Sequence, residues 1–145
     1  YMRQLTRELR VLVRDTPIEV DALRGDALLL RIPAAWLFEV DAVALRPEAQ
    51  VRLDALGLAL VSPQGERTRV EVVGHSDSLG RREPNETFTQ RRAEAVAALL
   101  AARGVAPARL ATRGAGEAEL REKKEDSPAA RQRNRRIEIE IRPSR

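Results

Sequence analysis

The sequence predicts a two-layer α/β domain, and three observations predict it. Apolar residues recur at helical spacing in two long stretches, one opening at Pro47 and one spanning 85–103. Short β-branched runs, 69–73 and 136–141, are interleaved with them. The chain has 145 residues, 43% of them hydrophobic and only 3% aromatic, so one core of Leu, Val, Ile and Ala is feasible without staples. Strands alternating with helices bury their apolar faces against each other in two layers.

Each element has its own signal. Residues 3–14 carry Leu5, Leu9, Leu12 and Val13 at helical spacing, as a connecting helix or a fold element, and Pro17 ends the pattern. Ile18, Val20 and Ala22 then alternate with polar positions. Arg24-Gly25-Asp26 supplies a turn and 27–32 a second strand, which together read as a hairpin. Residues 33–45 read as irregular, with Trp36, Leu37 and Phe38 bunched after Pro33. Pro47 suits the first position of a helix. Ala49, Leu53, Leu56 and Leu60 form its buried stripe, and Ser62-Pro63-Gln64-Gly65 ends it. The strand 69–73 leads into a polar loop, 74–84. The helix 85–103 stops at Gly104, a good C-terminal cap. A short strand near 110–112 precedes a polar stretch, 114–128, whose charge run reads as a solvated loop. In 136–141, Ile137, Ile139 and Ile141 alternate with charged residues, giving a strand with one wet face.

Composition excludes several function classes. The formal net charge is +4. Lys123 and Lys124 are the only lysines, so the positive charge is almost all arginine, the side chain suited to planar capture of carboxylate or phosphate. Coding bias alone can account for an Arg- and Ala-rich chain, so only particular arginines carry weight. Absence of cysteine removes disulfides, thiolate nucleophiles and Cys-type metal sites. With one histidine, His75, a three-ligand catalytic metal site is not expected, and no nucleophile-elbow pattern is present. The expectation is therefore no enzyme, no cofactor and no metal. Nucleic-acid binding is suggested by Arg131, Arg133, Arg135 and Arg136. It is disfavoured by the scarcity of stacking aromatics and by Glu138 and Glu140 directly after the cluster. No apolar run approaches the ~20 residues of a membrane-spanning helix. No signal peptide is visible, and an opening on Tyr1 and Met2 looks like an excised segment of something longer.

One arginine stands where an apolar residue is expected. On a wheel of about 100° per residue, Phe88, Ala95 and Leu99 share a face, with Val96 at its edge, and Arg92 falls inside that stripe. A buried guanidinium demands an acidic partner; alternatively Arg92 snorkels past a thin edge of the core. Asp77 is an available partner, in the loop between a strand and this helix, where α/β proteins favour ligand sites. The free N–H groups at the helix start add positive potential. Asp77 and Arg92 side by side would suit a zwitterion, with ammonium to the acid and carboxylate to the guanidinium.

Around these residues the sequence resembles a known family. Gly74-His75-Ser76-Asp77-Ser78-Leu79-Gly80, then Asn85, Thr89, Arg92-Ala93 and Val96, closely resembles the signature of OmpA-like peptidoglycan-binding domains. The likeness extends to 37–41 before Leu45 and Pro47, to Gly104-Val105 and Arg109, to Gly114-x-Gly116-Glu117, and to Arg131-x-x-Asn134-Arg135-Arg136-Ile137-Glu138. It covers roughly 27–142, with 1–26 as connecting helix and first strand and 143–145 as a tail. The resemblance implies an α+β fold, a mixed β-sheet covered on one face by helices. It implies non-covalent binding of peptidoglycan through the diaminopimelate of the stem peptide. Asp77 would take the ammonium and Arg92 the carboxylate. Asn85, Asp41 and backbone around Val40 would line the pocket, Arg135 would close its other side, and Thr89 would keep the hydroxyl of a frequent serine. Asn134 and His75 would serve loop structure. Two departures touch the floor and rim: Ala115 replaces a usual aromatic, and the loop after Glu117 has Leu120 where proline is common and is one residue longer and more charged. The partners implied are the cell wall and an attached upstream membrane or envelope region, with a homodimer allowed. The location implied is the periplasm, tethered to the outer or inner membrane. The alternative is a scaffold of the same fold whose degenerate site serves protein–protein interaction.

Overall fold

A computed structural model describes residues 2–80 and 82–144. The elements run α1 (Met2–Leu12), β1 (Glu19–Ala22), β2 (Leu28–Pro33), α2 (Ala34–Leu37), α3 (Pro47–Val61), β3 (Thr68–His75), α4 (Arg82–Ala102), β4 (Leu110–Gly116), α5 (Pro128–Asn134) and β5 (Arg136–Pro143). The strands form one sheet in the order β1-β2-β5-β3-β4. Only β3 and β4 are parallel, and α4 is the crossover between them, so the sheet is mixed.

The expected hairpin is present. Its turn places Gly25 at φ 70° and Asp26 at φ 61°, left-handed backbone that glycine and aspartate tolerate better than most residues. Alternation then sorts the side chains. Leu28, Leu30 and Ile32 of β2, Val70 and Val72 of β3, and Ile137, Ile139 and Ile141 of β5 all face the helices. Against them pack Leu53, Leu56 and Leu60 of α3 and Val96 and Leu100 of α4. The opposite face carries Arg31, Glu138, Arg136 and Glu140, knitted into ion pairs.

Residues 2–26 are more than a connection. Leu5 and Leu9 of α1 are fully buried in the same core, with Met2 and Ile18 beside them. Arg52 of α3 donates to the carbonyls of Leu12 at 2.7 Å and Arg14 at 3.2 Å, satisfying backbone left open at the helix end.

Several boundaries move. β3 continues through Gly74 and His75, and β4 through Gly116, both into stretches expected as loop. Gly74 lies opposite Gly114 in the parallel ladder. A Cβ on Gly74 would sit 2.2 Å from the Thr89 carbonyl oxygen, and one on Gly114 would sit 2.4 Å from that of Glu86. The two glycines let the backbone of α4 rest on the strands, a close approach rather than a turn. α4 starts at Arg82, earlier than expected. The short helices α2 and α5 were not expected; Ser127 caps α5 by accepting from the Ala130 N–H at 3.1 Å.

The expected core face of α4 is also corrected. Thr89, Ala93, Val96, Ala97 and Leu100 are buried, whereas Phe88, Ala95 and Leu99 lie on the half-buried flank. Large apolar residues drew the wheel toward Phe88 and Leu99. With glycines beneath it, the helix instead seats its small residues on the sheet. Arg92 therefore stands on a flank and not in the core.

Candidate functional site

A cavity of about 310 Å³ opens along the flank of α4. The loop after α2 forms one wall, the residues following β3 another, and Arg135, between α5 and β5, closes the end. All seven residues singled out in the sequence, Val40, Asp41, Asp77, Asn85, Thr89, Arg92 and Arg135, line it.

Arg92 does not pair with Asp77. Its Nε donates to the Ala42 carbonyl at 2.9 Å and its Nη2 to the Glu39 carbonyl at 3.3 Å. The guanidinium lies between two rings, 4.6 Å from the Phe38 centroid and 4.4 Å from that of Phe88. Backbone carbonyls and ring faces thus supply what an acid was expected to supply. Burial pulls the Arg92 pKa down, the charge of Asp41 opposes this, and Arg135 adds to it. The side chain remains a cation throughout ordinary pH. Its contacts also hold the 39–42 backbone in place. Asp41 there adopts φ 57°, and a bridge between Phe38 and Leu45 closes the base of the loop.

Asp77 is 7% exposed. Its Oδ1 accepts from the Leu79 N–H at 3.0 Å, and its Oδ2 accepts from Arg135 Nη1. Asn85 donates from Nδ2 to the Leu79 carbonyl at 2.9 Å, bracing the same turn. The Thr89 hydroxyl is committed to backbone: it donates to the Asn85 carbonyl at 2.8 Å and accepts from the Gly116 N–H at 3.1 Å. Thr89 thus aligns α4 with β4. Val40 is 89% exposed at the rim, where Leu79 is exposed too.

Asn134 is fully buried and holds the segment before α5. It accepts from the Glu122 N–H at 2.7 Å and donates to Glu125, which in turn accepts from the Ser78 N–H at 3.0 Å. That chain of bonds ties the charged stretch to the turn carrying Asp77, so the stretch is not merely solvated. His75 alternates with Gly74 and so points away from α4. Its Nε2 lies 3.4 Å from Glu138 Oε1. Burial works to raise the Glu138 pKa, but His75 and Arg136 outweigh it and hold the carboxyl at about 2. Ala115 is buried.

Sequence reasoning missed the two rings around Arg92 and the Arg46–Glu39 ion pair of 2.9 Å at the rim. The bunched Trp36-Leu37-Phe38 was the available signal for Phe38. The resulting site is a concave mixture of acids (Asp41, Asp77) and guanidinium groups (Arg92, Arg135), lined by aromatic and aliphatic carbon. Among the described residues no His, Asp or Glu cluster could hold a metal ion, and no helix is long and apolar enough to cross a membrane.

Site and sheet define a small binding module, and the comparisons place it. The profile of the OmpA family matches residues 37–135, and the chain belongs to that family. The chain is 32% identical over 143 residues to "Probable lipoprotein YiaD" of Escherichia coli K12, covering 99% of this chain and 64% of that one. It is 40% identical over 91 residues to the peptidoglycan-associated lipoprotein of Pseudomonas aeruginosa, covering 63% of this chain and 52% of that one. The solved structure of the cell wall anchor of the T6SS from Pseudomonas aeruginosa superposes with a TM-score of 0.82 at 28% identity, covering 97% of each chain. The matched regions thus span less than two thirds of the length of these two lipoproteins. The match to YiaD and the likeness to the anchor take in α1 and the hairpin, outside the part that the family profile matches.

Proposed function

We propose that this chain binds peptidoglycan without covalent chemistry, and that the cavity beside α4 holds the diaminopimelate end of a stem peptide. The observation that carries this is the placement of Asp41 and Asp77 around the same cavity as Arg92 and Arg135. A zwitterionic end group complements such a site. Its ammonium goes to Asp77, whose carboxylate has lone pairs beyond those used by Leu79 and Arg135. Its carboxylate goes to Arg92, two of whose five N–H donors serve backbone carbonyls. The aliphatic stem lies along Phe88 and the exposed Val40 and Leu79. The relatives named for peptidoglycan and the cell wall support the reading. The biological role is to anchor a larger envelope protein or complex to the wall from the periplasm, through sequence outside this chain.

Co-sedimentation of the purified chain with peptidoglycan sacculi tests this, with meso-diaminopimelate as competitor and Asp77→Ala alongside. Loss of a charged hydrogen bond of ~1.5–3 kcal/mol should lower affinity by about one to two decades. Competitor and substitution should both release the chain. A folded wild-type chain that stays in the supernatant would sink the proposal, and favour a scaffold role on the same fold.

A further inference from the structure

A second cavity, of about 260 Å³, lies across Arg135 from the first, on the sheet face that α1, α3 and α4 leave bare. Five guanidinium groups border it, those of Arg31, Arg121, Arg133, Arg135 and Arg136, against the carboxylate of Glu19. All five are anchored: Arg31 to Asp21 and Glu138, Arg121 to Glu19 at 3.0 Å, Arg133 to Glu122, Arg135 to Asp77, and Arg136 to Glu138 at 2.8 Å. Arg136 spends all three nitrogens, on Glu138 and on the Asn134 and Glu119 carbonyls, but the pairings of Arg31, Arg121 and Arg133 use only part of a five-donor fork, so N–H groups remain there for a ligand on side chains already held in position. Arg136 keeps only 7% of its side chain exposed and Arg31 24%, so part of this guanidinium-lined wall is shielded from solvent. Guanidinium forks match carboxylates in plane and spacing. Pro17, Pro33 and Ala129 add an apolar surface beside the charges, suited to short aliphatic carbon.

The geometry points to a second carboxylate subsite: the peptide whose zwitterionic end sits in the first cavity lays a further free carboxylate among Arg31, Arg121 and Arg133, with Arg135 bordering both sites. This rests on the proposed function of the first cavity. A glutamate linked through its γ-carboxyl to diaminopimelate presents such a group, because its α-carboxylate stays free. Glu19 and Arg31 belong to the β1–β2 hairpin, so the hairpin takes part in recognition.

Calorimetric titration of the chain with three probes tests the inference. The probes are meso-diaminopimelate, γ-D-glutamyl-meso-diaminopimelate, and the same dipeptide with the glutamate α-carboxyl amidated. The dipeptide should bind roughly tenfold or more tighter than free diaminopimelate, the factor expected of one added charged hydrogen bond. The amide should lose that gain. The double substitution Arg121→Ala/Arg133→Ala should lose it too, while binding free diaminopimelate as wild type does. Equal binding of dipeptide and amide by wild type, or a gain that survives the double substitution, overturns the second subsite and leaves the first intact. Failure of wild type to bind any probe overturns the first cavity's role, and this inference with it.

Discussion

Arg92→Lys separates shape from charge at the first cavity. Lysine keeps the positive charge but has neither a plane to lie between two rings nor a fork to reach two carbonyls. The structure sets the magnitude. Two ring contacts, at 4.6 and 4.4 Å, are lost at ~0.5–1 kcal/mol each for a partly exposed cation. One of the bonds to the Ala42 and Glu39 carbonyls is lost at about 1.5 kcal/mol. The sum is roughly 2.5–3.5 kcal/mol, concentrated in the 39–42 backbone that lines the cavity. Because the loop can open locally, the effect should show most in that segment. Amide exchange over 39–45 should speed up by about two decades. Affinity for meso-diaminopimelate should fall by at least about tenfold although the charge is retained. Hydrogen-exchange mass spectrometry and calorimetry read the two effects. Unchanged exchange together with unchanged affinity would refute the account, since a point charge would then suffice.

Other outcomes follow from the packing. Gly74→Ala should cost about 1–3 kcal/mol in urea unfolding, because its Cβ would meet the Thr89 carbonyl at 2.2 Å. Gly25→Ala, at φ 70° in open space, should cost only about 1 kcal/mol; a Gly74→Ala loss no larger would argue against close approach of α4. Leu9→Ala should destabilise by about 2–5 kcal/mol, and wild-type stability would mean that α1 is dispensable to the core. Glu138 is held at about 2, below its ordinary value of 4.5, so its stabilisation is present above pH ~4.5 and is lost as pH falls toward 2. The full shift is worth ~3 kcal/mol, and solvent contact reduces it to roughly 2. Glu138→Gln should flatten that limb of the stability–pH curve, and an unaltered slope would assign the acid sensitivity elsewhere. Amidating the side-chain carboxyl of diaminopimelate should weaken binding, since Arg92 would lose its anionic partner; equal affinity would contradict the pose.

The order and type of the main elements are legible in the residues alone, because side-chain periodicity records which face meets apolar neighbours. Ile137, Ile139 and Ile141, and the stripe Ala49, Leu53, Leu56 and Leu60, are buried as the pattern requires. The ordered motifs also mark the residues around the first cavity. Which side chains touch is a matter of the folded packing. Arg92 meets carbonyls 50 and 53 positions away, and Asp77 meets Arg135 at a separation of 58. Pairing at such distances depends on where rigid elements stop, which local pattern does not encode. The same holds for α4, whose seating was set by two glycines on other elements, and for α1, whose stripe was readable while the surface it covers was not. A wheel reports which side of a helix is apolar, but only the partner surface decides how closely that side can approach.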